Sequence, residues 1–324
     1  MFNESAMRRA SGVLYRALDE LPGTEALTDL DVEPLARTVA FVARIAKNPF
    51  ELATARFRSQ RIPYTVAASA ALASEIRLQL GEDDIQPLLD LPARLAGQLG
   101  TLVFPIESSV IAVVGVLFER AGLLFLSNSL AHRKLTECAR AFGTILALAA
   151  RNEMSNAAFV ATFSTSKTVG PKATFATNFA GHLLVPTRGL AITLRKIREI
   201  LKVKKAELGD VEMLYAARVF GVGFDDLARR CEREQLLPPG GARALEKFLV
   251  ERFGGTEKRA NELGLPARPP IEFPPIPAVL SSMLARHIDA GDLSCEDAAY
   301  WLNLSPALLE SVISTQDSSE RFWQ

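Results

Sequence analysis

The sequence predicts an α+β protein that is mostly helical, with a small antiparallel-rich sheet flanked by helical modules. Three observations predict it. Up to about residue 100, and again after Asn128, apolar residues recur at spacings of three and four. Val32, Leu35, Ala36, Val39, Val42, Ala43 and Ala46 form one such stripe. Between these regions the period changes: Thr101–Phe104, Val110–Phe118 and Leu123–Leu126 are short, branched or aromatic runs. Finally, 48% of the 324 residues are apolar, enough to bury a sizeable core.

In chain order, Asn48-Pro49 and Ile62-Pro63 punctuate the first helical region, and a helix over Ile85–Leu99 ends at Gly100. The turn around Glu119-Arg120-Ala121-Gly122 joins the second and third apolar runs as a hairpin. Helices follow over 131–150, 171–185, 187–205, 210–220, 224–235 and 242–254. Pro and Gly are concentrated between Leu236 and Pro277. The organisation expected is a helical N-terminal region (1–82), a central domain holding the sheet (83–206), a helical extension (207–256), a Pro-rich linker (257–277) and a small helical module (278–324).

Composition narrows the function. Lys plus Arg number 37 and Asp plus Glu number 37, so any electrostatic site must be a local patch. Cys138, Cys231 and Cys295 are far apart, without CxxC spacing, which argues against a disulfide framework or a thiolate metal site. The polar N-terminus reads as no signal segment, and the apolar stretch at Val110–Leu126 is interrupted by Glu119 and Arg120. The expectation is a soluble, cytoplasmic protein with no membrane partner.

Two segments carry more specific information. One runs from Arg133 to Leu146. The other is Ala173-Thr174-Phe175-Ala176-Thr177-Asn178-Phe179-Ala180-Gly181-His182-Leu183-Leu184-Val185-Pro186. Together they resemble the ImmA/IrrE family of zinc metallopeptidase-like proteins, in which an H-E-x-x-H helix precedes a helix of the form E-x-x-A-N-x-F-A-x-x-L-L-x-P. Ala176, Phe179, Ala180, Leu183, Leu184 and Pro186 match the second motif. Arg133, Leu135 and Thr136 match the lead-in to the first. Ala217–Arg230 resembles the helix pair that follows the peptidase domain in longer members. The resemblance covers about 85–235, and more loosely 278–315. It implies a zincin-like central domain in a bacterial regulatory protein.

The zinc chemistry is missing from the pattern. H-E-x-x-H places two imidazoles on one helix face, with a carboxylate between them as general base. Here the five positions read Ala139-Arg140-Ala141-Phe142-Gly143, and Ala173 stands where the resemblance puts the third ligand. Ala and Gly offer no donor atom, and Arg is a permanent cation. The expectation is a chain without metal or other cofactor, leaning away from catalysis.

What remains is binding. Glu137 and Arg140 lie three apart on the predicted helix and form an ion pair, point to solvent or, with His182, make part of a groove in which Arg140 contacts an acidic partner. The helix after Pro186 is basic: Arg195, Lys196, Arg198, Lys202, Lys204 and Lys205 make either a solvated face or a patch for an acidic partner or nucleic acid. Helix-turn-helix-like pairs are expected at 210–235 and 294–313. The latter has no Lys or Arg in its second helix, which favours packing or protein docking over base reading. The resemblance also allows a degenerate DNA-binding domain in the N-terminal 80 residues, where Val32–Arg61 is helical and moderately basic but shows no convincing recognition helix. The leading reading is a non-catalytic ImmA/IrrE-like regulator acting by protein binding in transcriptional or stress control, its partner a helix-turn-helix transcription factor. A DNA-binding regulator using 188–205 is the first alternative, and a metallopeptidase with relocated ligands the second.

Overall fold

The computed structural model describes residues 4–20, 31–45, 63–119, 121–150, 156–163, 171–205, 207–271 and 273–321. Strands β1 (Thr101–Ile106), β2 (Ile111–Phe118), β3 (Ala121–Ser127) and β4 (Asn156–Thr162) form one mixed sheet in the order β1-β3-β2-β4. The expected hairpin joins β2 and β3. Phe118 pairs with Ala121, so two residues make the loop, and Glu119 takes the left-handed φ of 43° that tight hairpin turns require. β1 runs parallel to β3, and β4 antiparallel to β2.

Every residue of β2 and β3 is buried. A sheet covered on both faces gives continuous apolar runs, which is why Val110–Phe118 shows no alternation in the sequence. Leu124 and Leu126 enter one core, while Leu123 and Phe125 enter the other. At about 1.5–3 kcal/mol for each large apolar side chain removed from water, both faces contribute substantially to stability.

The first face is covered by α3 (Val66–Gln79), α4 (Leu91–Leu99), α5 (Lys134–Ala149) and α6 (Pro171–Leu184). Around these pack α7 (Thr187–Leu201), α8 (Asp210–Val219), α9 (Phe224–Arg233), α10 (Gly241–Phe253) and α11 (Thr256–Glu262). The second face is covered by α1 (Glu4–Asp19) and α2 (Val32–Ile45), joined by α12 (Ala278–Asp289), α13 (Cys295–Leu302) and α14 (Pro306–Arg321). The two ends of the described chain meet there. Phe41 of α2 stacks on Trp301 of α13 with ring centroids 6.3 Å apart, and Thr38 Oγ1 donates to the Trp301 carbonyl at 3.3 Å.

Four local expectations differ from the structure. The helix expected from Ile85 starts at Leu91, because the Asp83 carboxylate accepts from the amides of Ile85 and Gln86 and holds a turn there. The helix expected to reach residue 205 stops at Leu201, where Lys202 adopts a left-handed φ of 54° as its cap. The Pro-rich stretch 257–277 begins inside α11. Arg218 Nη1 then ties it down by donating to the carbonyls of Leu265 and Pro266 at 2.9 and 2.8 Å. Strand β4 has no counterpart in the sequence reading.

Candidate functional site

The candidate site begins with α5. A 3-10 segment, Asn128–Arg133, leads into it from β3. Ala139 and Gly143 both face the core. The Phe179 ring of α6 lies directly against Gly143: a Cβ there would sit 2.6 Å from Phe179 Cδ1, well inside van der Waals contact. Phe142 packs on the same ring at 6.1 Å. The space a side chain at 143 needs is therefore filled by aromatic carbon. Ala173, half-buried on α6, adds only a methyl group. Among the described residues, no group of three or more His, Cys, Asp or Glu side chains is placed to hold a metal. The residues present do not fit the zinc that the family resemblance implies.

Arg140 is committed within the fold. Its Nη1 donates to Glu137 Oε1 at 2.7 Å, and its Nη2 lies 3.4 Å from Asp226 Oδ1 on α9. Arg133 reaches the same Glu137 oxygen at 2.7 Å. Burial, assisted by neighbouring Asp225, pushes the Asp226 carboxyl up to about 6, against the pull of Arg140. This network fastens α9 to α5. The gap left between them, bordered by Thr136, Thr177, Asp226 and Arg233, measures about 20 Å³, close to one water.

His182 is set in a second network. Arg230 of α9 is buried, with its Nη2 3.1 Å from His182 Nδ1. Burial and the adjacent guanidinium push the imidazole down to about 4, so it is neutral at pH 7 and accepts through Nδ1. Arg230 also donates to the Val185 carbonyl at 3.0 Å and to Thr187 Oγ1 at 2.7 Å, and pairs with Glu234. From the other side, buried Arg77 of α3 donates to the Leu183 carbonyl at 2.7 Å and to the Gln86 carbonyl at 2.6 Å. Two guanidinium groups thus satisfy carbonyls at the C-terminal end of α6, where the helix dipole is negative. Of the groove trio, Glu137 and Arg140 touch, while His182 belongs to this separate cap.

Sequence reading missed Arg77 and Arg230, although a signal was present. Arg230 falls on the α9 apolar stripe with Leu227 and Cys231, and Arg77 on the α3 stripe with Ala73, Ile76 and Leu80. A cation on an apolar stripe needs buried partners. The two central cysteines are buried: desolvation pushes the Cys138 thiol well up and the Cys231 thiol up to about 12.

The basic helix α7 is different. Arg195, Lys196, Lys202, Lys204 and Lys205 are exposed, and among the described residues Arg198 alone of the predicted patch is ion-paired, 3.7 Å from Glu212. An open groove of about 870 Å³ runs along the C-terminal half of α7 and the strap after it. Both helix pairs form. The first turns at Gly221, whose φ of 67° suits glycine. Its second helix buries Arg230 and pairs Arg229 with Asp225 at 3.3 Å. In the C-terminal pair, Ser294 caps α13 by accepting from the Asp297 amide at 3.0 Å. As for Val32–Arg61, α2 packs its apolar face on the sheet, and residues 46–61 lie outside the described residues. No helix among the described residues is long and apolar enough to cross a membrane.

No protein-family model matches the chain, and no curated protein matches it.

Proposed function

We propose that this chain is a non-catalytic regulatory protein of the ImmA/IrrE type that acts by binding a protein partner, in transcriptional or stress control. One observation carries the reading: the Phe179 ring occupies the space beside Gly143 where a metal-binding side chain would project from α5. Ala139, Arg140 and Ala173 add no donor for zinc, and Arg140 is held by two carboxylates. A scaffold whose reactive positions are packed shut still offers its outer surface for recognition. A helix-turn-helix transcription factor is the partner class that the resemblance implies.

Metal analysis of the purified protein tests this directly. The expected result is far less than one zinc per chain and no chelator-sensitive cleavage of a helix-turn-helix repressor. Stoichiometric zinc together with such cleavage overturns the reading and favours relocated ligands.

A second reading has its own support. Arg195, Lys196, Lys202, Lys204 and Lys205 are exposed together, as a phosphate-contacting patch requires. It predicts duplex binding that weakens steeply with salt and on neutralising Lys202, Lys204 and Lys205. Absence of binding at low salt eliminates it.

A further inference from the structure

We propose that the groove beside the C-terminal half of α7 docks an acidic amphipathic helix from a protein partner. The inference rests on the reading of the chain as a binding protein and gives its partner a chemistry.

The groove has an apolar floor: Leu194 from α7, Val203 and Leu208 from the strap after it, and Leu236 from the segment after α9. Leu236 is 44% exposed, a large aliphatic side chain left in water. The groove volume of about 870 Å³ falls within the roughly 300–1,000 Å³ typical of pockets that enclose ligand groups. Two or three apolar anchors spaced i, i+3 and i+7 on a helix would fill such a floor.

The rim supplies the charge argument. Arg195, Lys202 and Lys204 border the groove and are exposed. Among the described residues, no carboxylate lies within ion-pair distance of any of them, whereas Arg198 beside them is paired to Glu212. Three uncompensated cations around an apolar trough complement a helix with carboxylates flanking its apolar stripe. Such charges set the rate and register of encounter, and the floor supplies the affinity.

The same groove suits nucleic acid poorly. Glu199 and Glu207 also line it. Duplex DNA carries a charge about every 1.7 Å along its axis and meets both carboxylates unfavourably. A helix carrying two or three acids can match the cations and leave the glutamates in solvent. An aliphatic floor also offers no partner to phosphate.

The test is fluorescence anisotropy on the full chain with three labelled probes. These are an amphipathic peptide with Leu at i, i+3 and i+7 and Glu beside them, a scrambled peptide of the same composition, and a DNA duplex. The expected result is preferential binding of the amphipathic peptide. R195E/K204E should weaken it about tenfold or more, and L236D comparably. Both sites are exposed, and thermal melts confirm that the variants fold. Equal binding of the scrambled peptide, indifference to both variants, or duplex binding that exceeds peptide binding and ignores L236D overturns the proposal. Zinc content of the same preparation separates the outcomes. A zinc-free protein that ignores the peptide refutes only the docking site, while a zinc-loaded, cleaving protein refutes the reading beneath it.

Discussion

The α5–α6–α9 region and the C-terminal half of α7 are both rich in arginine and lysine, yet they use charge in opposite ways. Around α5 and α6 the cations Arg77, Arg140 and Arg230 point inward and meet carbonyls or carboxylates. Around α7, Arg195, Lys202 and Lys204 stand in solvent beside an apolar trough. An inward cation bonded to neighbouring helices holds them together, and removing it leaves buried acceptors unsatisfied. An outward, uncompensated cation contributes almost nothing to stability and is available to something else. The region around α5, α6 and α9 therefore uses its charge to hold the fold together, whereas the cations of α7 remain open to a ligand.

The sharpest way to break this contrast is to remove one cation from each side. R230M should lower the unfolding free energy by about 3–5 kcal/mol, since it strands the Val185 carbonyl and the partners around Glu234. R195A should change it by less than about 0.5 kcal/mol. Urea unfolding of the pair measures both, and equal effects would erase the distinction.

Introducing histidines probes the packed side alone. The double change A139H/G143H should give no zinc site and should cost about 3 kcal/mol or more, because any side chain at 143 collides with Phe179. G143A alone should cost about 1–3 kcal/mol. Melting temperature and metal content decide the outcome, and a stable, zinc-loaded double variant would contradict the packing described.

Protonation sharpens the comparison further. The Asp226 carboxyl is raised from 3.8 to about 6 in the folded chain, so folding binds a proton and this group lowers stability as pH rises from about 4 to 6. His182 is depressed from 6.5 to about 4, so the unfolded chain binds the proton and this group raises stability over nearly the same range. The two slopes oppose each other. Stability of D226N should climb more steeply than wild type between pH 4 and 6.5, and that of H182N less steeply. Denaturation series across this range detect the crossing, and parallel curves for all three would show that neither group is coupled to folding.

The smallest expected effect lies at the edge of the groove. K202G relieves a left-handed lysine and should stabilise the chain by roughly 0.5–1 kcal/mol, while removing one rim cation. Thermal melting checks the first consequence.

Much of the fold was legible because it rests on local chemistry. The helices at 171–184 and 210–219 follow apolar periodicity, and the β2–β3 hairpin follows two branched runs across a short turn. β4 was not legible: Asn156-Ala157-Ala158-Phe159-Val160-Ala161-Thr162 has an alanine content that favours no strand, and pairing with β2 decides its state. In the candidate site, the missing donor atoms at 139, 140 and 143 could be read directly. Phe179 against Gly143, Asp226 against Arg140 and His182 against Arg230 could not, since each joins residues separated by 36 to 86 positions. Periodicity says that a side chain faces inward and leaves its partner unnamed.

The Thr38–Trp301 contact spans 263 positions and fastens α13 onto α2. Its consequence concerns synthesis. A nascent chain completes β1 to β4 long before α12 and α13 emerge, so the apolar side chains of α2 and α4 that these helices cover, Phe41 among them, stay exposed in the meantime. Such high sequence separation slows folding and leaves sticky intermediates. Ribosome-stalled chains ending near residue 275 should accordingly recruit holding chaperones and resist proteases poorly, and both properties should change together once α13 is released.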